Sequence, residues 1–175
     1  SNTVDAYAVN GWESMKLENH SGIVDNYRFP KGDPEVMARY NAPLYLAVKM
    51  NRKVVSTGDT TLVDTYIVNE KNLKGSYILN LVAKDESGNV VASHKERVTV
   101  KGGNDYGQCL QSGWAFIPKS KGYTRIEASL LKGKTELVKG DDLLFAVELN
   151  TKGITTRGSV ADTTGALVNF LRGVG

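Results

Sequence analysis

The sequence is poor in the residues that build disulfide frameworks and zinc sites. Among 175 residues it has one cysteine, Cys109, and two histidines, His20 and His94. A single cysteine excludes an internal disulfide and a cysteine-based metal cage. The two histidines are too few and too far apart along the chain to indicate a zinc site. The sequence therefore predicts no metal and no cofactor.

Long apolar runs and runs of like charge are missing as well. No apolar run approaches the roughly 18 residues that span a bilayer, so we expect no membrane insertion. The 22 Lys and Arg against 19 Asp and Glu leave a net charge of +3, and these residues are spread along the chain. Nucleic acid is therefore not an expected partner. With 41% hydrophobic residues, the chain has the composition and length of one globular domain with a sizeable core.

The first residues indicate a piece of a longer protein. The sequence has no initiator methionine and no signal-peptide pattern at its start. Ser1-Asn2 resembles what remains after a purification tag is cleaved. We therefore expect an excised segment, and its sequence does not indicate the compartment of the parent protein.

Residues 43–149 show the clearest pattern, in which short apolar and β-branched runs alternate with turn signals. The predicted strands are 44–50, 62–68, 77–83, 90–100, 114–117, 123–130 and 143–149. No part of this region has a convincing 3.6-residue period. About seven short strands predict an all-β fold, an immunoglobulin/fibronectin-III-like antiparallel β-sandwich. The residues expected to face inward are Leu62 or its neighbour Val63, Leu79, Leu81, Ile126, Ala128 and Val147.

The two flanks, 1–42 and 150–175, read as irregular extensions of this sandwich. Residues 6–9 form a short apolar run, and Asp33 followed by Pro34 predicts the start of a short helix. After a linker-like stretch, residues 164–172 carry apolar side chains at helical spacing, and Gly173 would end that helix. Neither flank has enough apolar residues to build a core of its own.

Two residue groups invite a catalytic interpretation. Asn69-Glu70 at a strand end resembles the position of a glycosidase acid/base glutamate. Glycoside hydrolysis needs two carboxyl groups about 5 to 10 Å apart across a cleft, and the pattern provides no second one, so we expect a structural loop. His20, Ser21 and Asp25 have the residue types of a catalytic triad. A triad depends on geometry built by the fold, and neighbours in one loop predict hydrogen bonding instead.

Four further features are each expected to be structural. Asp141-Asp142 could bind a cation but is better interpreted as a polar loop before the last strand. Gly102-Gly103 precedes no helix and is not a phosphate loop. Cys109 is expected to be buried or half-buried, since it precedes an apolar residue. Trp114 alternates with smaller residues along its predicted strand, which is typical of a core residue.

Trp12 and Glu13 are the candidate binding residues. They come directly after Gly11, just past the short apolar run 6–9. This position resembles that of an aromatic residue that a strand places in a sugar-binding site. Aromatic faces stack on sugar rings, because the axial C–H groups of the sugar form an apolar patch.

These features occur in an order that resembles a known family. The motifs are Asn10-Gly-Trp-Glu13, His20-Ser-Gly-Ile-Val-Asp25, Lys31-Gly-Asp-Pro34, Pro43-Leu-Tyr-Leu-Ala-Val-Lys49, Val68-Asn-Glu-Lys-Asn-Leu-Lys-Gly75 and Val100-Lys-Gly-Gly103. Over nearly its whole length the chain resembles the region after the catalytic barrel in bacterial proteins similar to glycoside hydrolase family 2, the β-galactosidase and β-glucuronidase group.

The resemblance implies a domain organisation and a function. Residues 4–12 would be the last strand of a (β/α)8 barrel, 14–42 an exit segment, 43–149 an immunoglobulin-like accessory domain, and 150–175 a linker and the start of a further domain. Because the catalytic glutamates of the family lie on earlier barrel strands, no catalytic residue is carried over.

The expected function is therefore a non-catalytic accessory domain that braces the barrel of a glycosidase. Its partners would be the barrel and neighbouring domains of the same polypeptide. Trp12 and Glu13 would contact substrate only in the full-length parent, at the end of the barrel strand. The alternatives are a carbohydrate-binding module that holds polysaccharide near the active site, and a protein-interaction module suggested by the fold alone.

Overall fold

Eight strands and two short helices are present in the part of the chain that the computed structural model describes, residues 22–103, 107–148 and 161–173. The strands are β1 (Leu44–Met50), β2 (Val54–Ser56), β3 (Thr61–Asn69), β4 (Gly75–Lys84), β5 (Val90–Val100), β6 (Gly107–Phe116), β7 (Gly122–Lys132) and β8 (Thr135–Val147). The helices are α1 (Pro34–Tyr40) and α2 (Ala166–Gly173). Neither described helix has the length and apolar character needed to cross a bilayer.

The strands form two sheets, as an all-β sandwich requires. The smaller sheet has the order β1-β3-β6, and the larger has the order β2-β8-β7-β4-β5. Strands β3 and β4, and likewise β6 and β7, follow each other in the chain but lie in opposite sheets, which is the Greek-key connection of immunoglobulin-type folds. The predicted fold class is confirmed, with eight strands instead of about seven. One pairing differs from the antiparallel expectation, since β2 runs parallel to β8.

The core lies between the inner faces of the two sheets. The fully buried large side chains include Leu46, Val63, Ile67, Leu79, Leu81, Ile126, Leu130 and Leu144. Of the residues predicted to face inward, Val63, Leu79, Leu81, Ile126 and Ala128 are buried. Burial alternates along each of these strands, as expected when one face of a sheet packs against the core.

The prediction for Val147 was wrong. Val147 is only half-buried, whereas Leu144 and Ala146 are fully buried on the inner face of β8. Residues 143–147 are all apolar, so alternation along the sequence could not choose between the two faces. The face is set by the pairing of β8 with β7 and β2.

The backbones of β1 and β8 come close together at Gly140 and Leu46. At Gly140 an added Cβ would lie 1.7 Å from the carbonyl oxygen of Leu46. Only a glycine allows the backbone of β1 to come this near, because any side chain would occupy the same space.

Both predicted helices are present. Asp33 caps α1 and accepts a hydrogen bond of 2.9 Å from the N–H of Glu35, with Pro34 in the first turn. The second helix is shorter than predicted and includes Gly173 instead of ending before it. Ahead of it, the Asp162 carboxylate accepts a hydrogen bond of 3.0 Å from the N–H of Val168.

Candidate functional site

A groove lies between α1 and the outer face of the larger sheet. Successive side chains of a strand point to opposite faces, so alternate residues of β4, β7 and β8 line its floor, and α1 contributes one wall. The groove has a volume of about 500 Å³. Its polar lining residues include Arg39, Asn80, Lys84, Arg125, Glu127 and Asp141. We call it the α1 groove.

Helix α1 has no buried side chain, and it contacts β8 through Arg39 in its last turn. The Arg39 guanidinium approaches the Asp141 carboxylate, with Nη2 3.4 Å from Oδ1. The same guanidinium lies 4.8 Å from the centroid of the Tyr40 ring, within the range of a cation–π contact. Arg39 therefore fixes the helix to β8.

Two carboxylates face each other on the floor of the α1 groove. Glu127 of β7 is the cross-strand partner of Asp141 of β8, so the two side chains lie on the same face of the sheet. Each carboxylate instead lies against a cation. Lys84 Nζ is 2.7 Å from Glu127 Oε2, and the Arg125 guanidinium pairs with Asp141. With Arg39, these four side chains form a network of ion pairs across α1, β4, β7 and β8.

Tyr45 lies next to this network and remains protonated at neutral pH. Burial raises the pKa of its phenol to about 12, and the neighbouring Tyr40, Asp141 and Asp142 add to the effect, against a smaller opposing contribution from Arg39. The rings of Tyr40 and Tyr45 pack edge to face with centroids 5.6 Å apart. A hydroxyl that keeps its proton cannot act as a general base at neutral pH.

The interpretation of Asp141-Asp142 as a loop before the last strand was wrong. Both residues lie inside the 13-residue strand β8, which begins at Thr135, well before the predicted strand 143–149. Asp142 forms an ion pair with Lys53, with Nζ 2.6 Å from Oδ2. Within the described residues no group of three His, Cys, Asp or Glu is arranged to hold a metal ion.

Asn69-Glu70 forms a structural loop, as expected. The Asn69 side-chain amide donates to the Leu73 carbonyl and accepts from the Leu73 N–H, both at 2.9 Å. Asn69 is buried and Glu70 is exposed. The asparagine thus closes the β3–β4 connection, and the glutamate takes no part in it.

The triad-like group is only partly described. Asp25 Oδ1 accepts hydrogen bonds from the N–H groups of Tyr27 at 2.8 Å and Phe29 at 2.9 Å, which is the hydrogen-bonded loop that the sequence predicts. His20 and Ser21 lie outside the described residues, and so do the candidate binding residues Trp12 and Glu13.

Cys109 and Trp114 both lie on β6. The expectation that Cys109 is buried or half-buried was wrong, because the thiol is exposed on the outer face of the smaller sheet. Partial desolvation and the nearby Asp64 carboxylate still raise the pKa of this thiol. Trp114 is half-buried, packs against the core and stacks on His94 with ring centroids 6.1 Å apart.

The outer face of the larger sheet also carries an apolar patch, which we call the Tyr123 patch. It consists of Val54, Tyr123, Leu143 and Phe145. Tyr123 is 53% exposed, Val54 is 62% exposed and Leu143 is 41% exposed. The Tyr123 ring rests on Phe145 with centroids 4.7 Å apart. An exposed aromatic ring surrounded by aliphatic side chains is typical of a protein contact.

Sequence reasoning missed the side chains of the α1 groove. Lys84, Arg125 and Glu127 are charged residues at the solvent-facing positions of predicted strands, where charges are ordinary. Only cross-strand register brings these residues together, and no local signal in the sequence encodes it. Asp33-Pro34 predicted α1 itself but not its contact through Arg39 with β8.

Comparisons with known proteins return similar structures but no similar sequence families. No protein-family profile and no curated protein sequence matches the chain. A glycosyl hydrolase family 2 member from Bacteroides cellulosilyticus is similar over 59% of this chain, with 19% identity and a TM-score of 0.46. The β-glucuronidase of Bacteroides uniformis is similar over 58%, with 15% identity and a TM-score of 0.43. The chain spans only 15% and 13% of these two proteins.

A third similar structure comes from a different kind of protein. The CARDB domain of a Pyrococcus furiosus protein, solved in complex with di-metal ions, is similar over 61% of this chain and 94% of its own length. The identity is 15% and the TM-score is 0.41. The family named from the sequence motifs thus recurs among the similar structures, beside this CARDB domain.

Proposed function

We propose that residues 43–149 are a non-catalytic accessory domain of an enzyme similar to glycoside hydrolase family 2, and that this domain braces the catalytic barrel of that enzyme. The observation that carries the proposal is the order of the motifs along the chain, which predicts an accessory domain over residues 43–149. The strands of the sandwich run from Leu44 to Val147 and so occupy this range. The parent enzyme would hydrolyse O-glycosidic bonds.

The chemistry of the α1 groove supports a non-catalytic role. Its facing carboxylates, Glu127 and Asp141, both lie against cations. The neighbouring Tyr45 has a pKa of about 12, so it is no base at neutral pH. Each carboxylate of the groove is thus engaged by a cation, which suits an ion-pair network better than the acid and nucleophile pair of glycoside hydrolysis.

The Tyr123 patch supports a contact with a neighbouring domain. Its centre is apolar, and charges at its margin are paired within the chain, as in the pair between Lys121 and Glu148 and the pair between Lys53 and Asp142. An apolar centre with a neutralised rim suits burial against another domain, because no unpaired charge needs to be desolvated.

The first experiment measures hydrolysis. Nitrophenyl galactosides and glucuronides incubated with the 175-residue chain should show no turnover above buffer. Turnover that disappears in Glu70→Gln or in Glu127→Gln would place an active site in this chain and overturn the proposal.

The second experiment measures sugar binding by tryptophan fluorescence, with Trp12→Phe and Tyr123→Ala as variants. We expect no saturable binding tighter than about 100 μM, which corresponds to roughly 5.5 kcal/mol. Tighter binding that depends on Trp12 would contradict the scaffold role. Equally tight binding that survives Trp12→Phe and is lost in Tyr123→Ala would make the sandwich a carbohydrate-binding module.

A third experiment tests the brace in a full-length parent enzyme. Tyr123→Glu places a charge in the Tyr123 patch and should lower the melting temperature of the barrel. The matched control, Leu137→Glu, changes an exposed apolar residue near the other end of the same sheet and should not. Equal melting temperatures for the parent and for Tyr123→Glu would exclude the Tyr123 patch as the surface that contacts the barrel.

A further inference from the structure

Strand β5 is an open edge of the larger sheet. It is 11 residues long and, within the described part of the chain, pairs only with β4. The hydrogen bonds of Gln108 show which backbone groups face away from β4: its side-chain amide donates to the Thr99 carbonyl at 2.7 Å and accepts from the Lys101 N–H at 2.9 Å. Because peptide groups alternate in direction along a strand, the N–H and C=O groups of Ser93, Lys95 and Arg97 point to the same open side.

The Gln108 amide occupies this edge as a peptide group would. It offers one donor and one acceptor and forms both strand-type hydrogen bonds at the end of β5. Farther along the same edge, within the described residues, no hydrogen bond engages the outward backbone groups of Ser93, Lys95 and Arg97. The edge is therefore competent for ladder pairing, and the residues that the structure describes occupy it only at its end.

Two cations stand on the outer side of this edge. Lys95 and Arg97 are exposed, and their cross-strand partners on β4 are the neutral residues Asn80 and Ile78. Among the described residues neither cation forms an ion pair. An added strand with carboxylates at every second position would bring them beside these two side chains.

The inner side of the edge carries apolar side chains beside a polar pair, His94 and Glu96, whose Nε2 and Oε2 atoms lie 3.7 Å apart. Between the two sheets, Trp114 of β6 stacks on His94 of β5. Trp114, Leu110 and Ala92 are half-buried and pack against the core. The alternate side chains of an added strand would point to this side, where apolar residues would remove Trp114 and Leu110 from water.

We propose that the open edge of β5 binds an extended peptide segment of another protein in which apolar and acidic residues alternate. The segment adds a strand to the larger sheet, its carboxylates pair with Lys95 and Arg97, and its apolar side chains cover Trp114. This mode of binding takes its affinity from main-chain hydrogen bonds and its specificity from alternate side chains. A second copy of β5 is a poor occupant, because its own cations would meet Lys95 and Arg97.

The experiment uses the 175-residue chain and short synthetic peptides. One peptide alternates Val and Glu, a second alternates Val and Gln, and a third is the Val–Glu peptide with a central proline, which lacks an N–H for the ladder. Calorimetry should show saturable binding of the Val–Glu peptide and at least tenfold weaker binding of the other two. Amide hydrogen exchange should show new protection at Ser93, Lys95 and Arg97.

A charge-reversal variant tests the pairing directly. In Lys95→Glu with Arg97→Glu, the Val–Glu peptide should bind at least tenfold more weakly, and a peptide that alternates Val and Lys should now bind. The matched control, Lys132→Glu with Lys134→Glu, makes the same change in net charge at the β7–β8 hairpin and should bind the Val–Glu peptide as the original chain does.

Three results would overturn the proposal. The first is no binding of the Val–Glu peptide, in which case the cations serve only to prevent edge-to-edge association. The second is equal binding of the proline-containing peptide, which would exclude a ladder. The third is unchanged affinity after charge reversal at Lys95 and Arg97, which would exclude the pairing.

Discussion

Replacing Gly140 by alanine tests the close approach of β1 and β8. The added Cβ would lie 1.7 Å from the carbonyl oxygen and 2.7 Å from the carbonyl carbon of Leu46. Real Cβ atoms do not come within 3.0 Å of such an atom, so β1 and β8 would have to separate by about 1.3 Å. Both obstructing atoms belong to backbone, and a change of rotamer cannot relieve the contact.

The cost follows from what has to move with β1. Leu46 is fully buried and pairs with Ile67 of β3, so a shift of its backbone strains the ladder of the smaller sheet and opens the core. Overpacking of a core costs about 1 to 3 kcal/mol and occasionally more. Because backbone atoms cause this obstruction, we expect a cost at the upper end of that range. Gly140→Ala should lower the free energy of unfolding by about 3 kcal/mol.

Urea unfolding followed by far-ultraviolet circular dichroism measures this change. The matched control is Gly107→Ala, because Gly107 is also a strand glycine with an ordinary φ angle and has no atom within 4 Å of an added Cβ. The control should stay within about 0.5 kcal/mol of the original chain or be slightly more stable. A loss of less than about 1 kcal/mol in Gly140→Ala, at an unchanged m-value, would refute the reasoning.

Three further predictions concern the core, a loop and alkaline pH. Leu81→Ala should cost about 2 to 5 kcal/mol in urea unfolding, since Leu81 is fully buried, and the same change at the 43% exposed Leu62 should cost less than about 1 kcal/mol. Asn69→Ala leaves both backbone groups of Leu73 without their partner and should cost about 1 to 3 kcal/mol, so a smaller loss would mean that water replaces the amide. The pKa of Tyr45 rises from 10.0 to about 12 on folding; the folded state therefore holds the phenolic proton more tightly, and stability should fall as the pH rises from 10 towards 12. In Tyr45→Phe this alkaline loss should be smaller, and an identical loss would contradict the assigned pKa.

The sequence by itself determined the fold class and most of the inner faces. Alternation in β4 and β7 identified Leu79, Leu81 and Ile126 as core residues, because a strand with one buried face leaves a two-residue period in its sequence. Asp33-Pro34 likewise predicted the start of α1, since a helix cap acts through atoms two or three residues away. Such signals are local, and they are readable before any tertiary contact is known.

The tertiary structure decided what depends on contacts between distant residues. In the uniformly apolar end of β8 only pairing with neighbouring strands places Leu144 inward and Val147 at the margin. The partners of Asp141 come from α1 and β7, and the approach of Leu46 to Gly140 joins the two sheets. A pairing register relates residues far apart in the chain, and a local pattern carries no information about it. The α1 groove, the Tyr123 patch and the open edge of β5 are all products of register, which is why the sequence predicted their strands but not these surfaces.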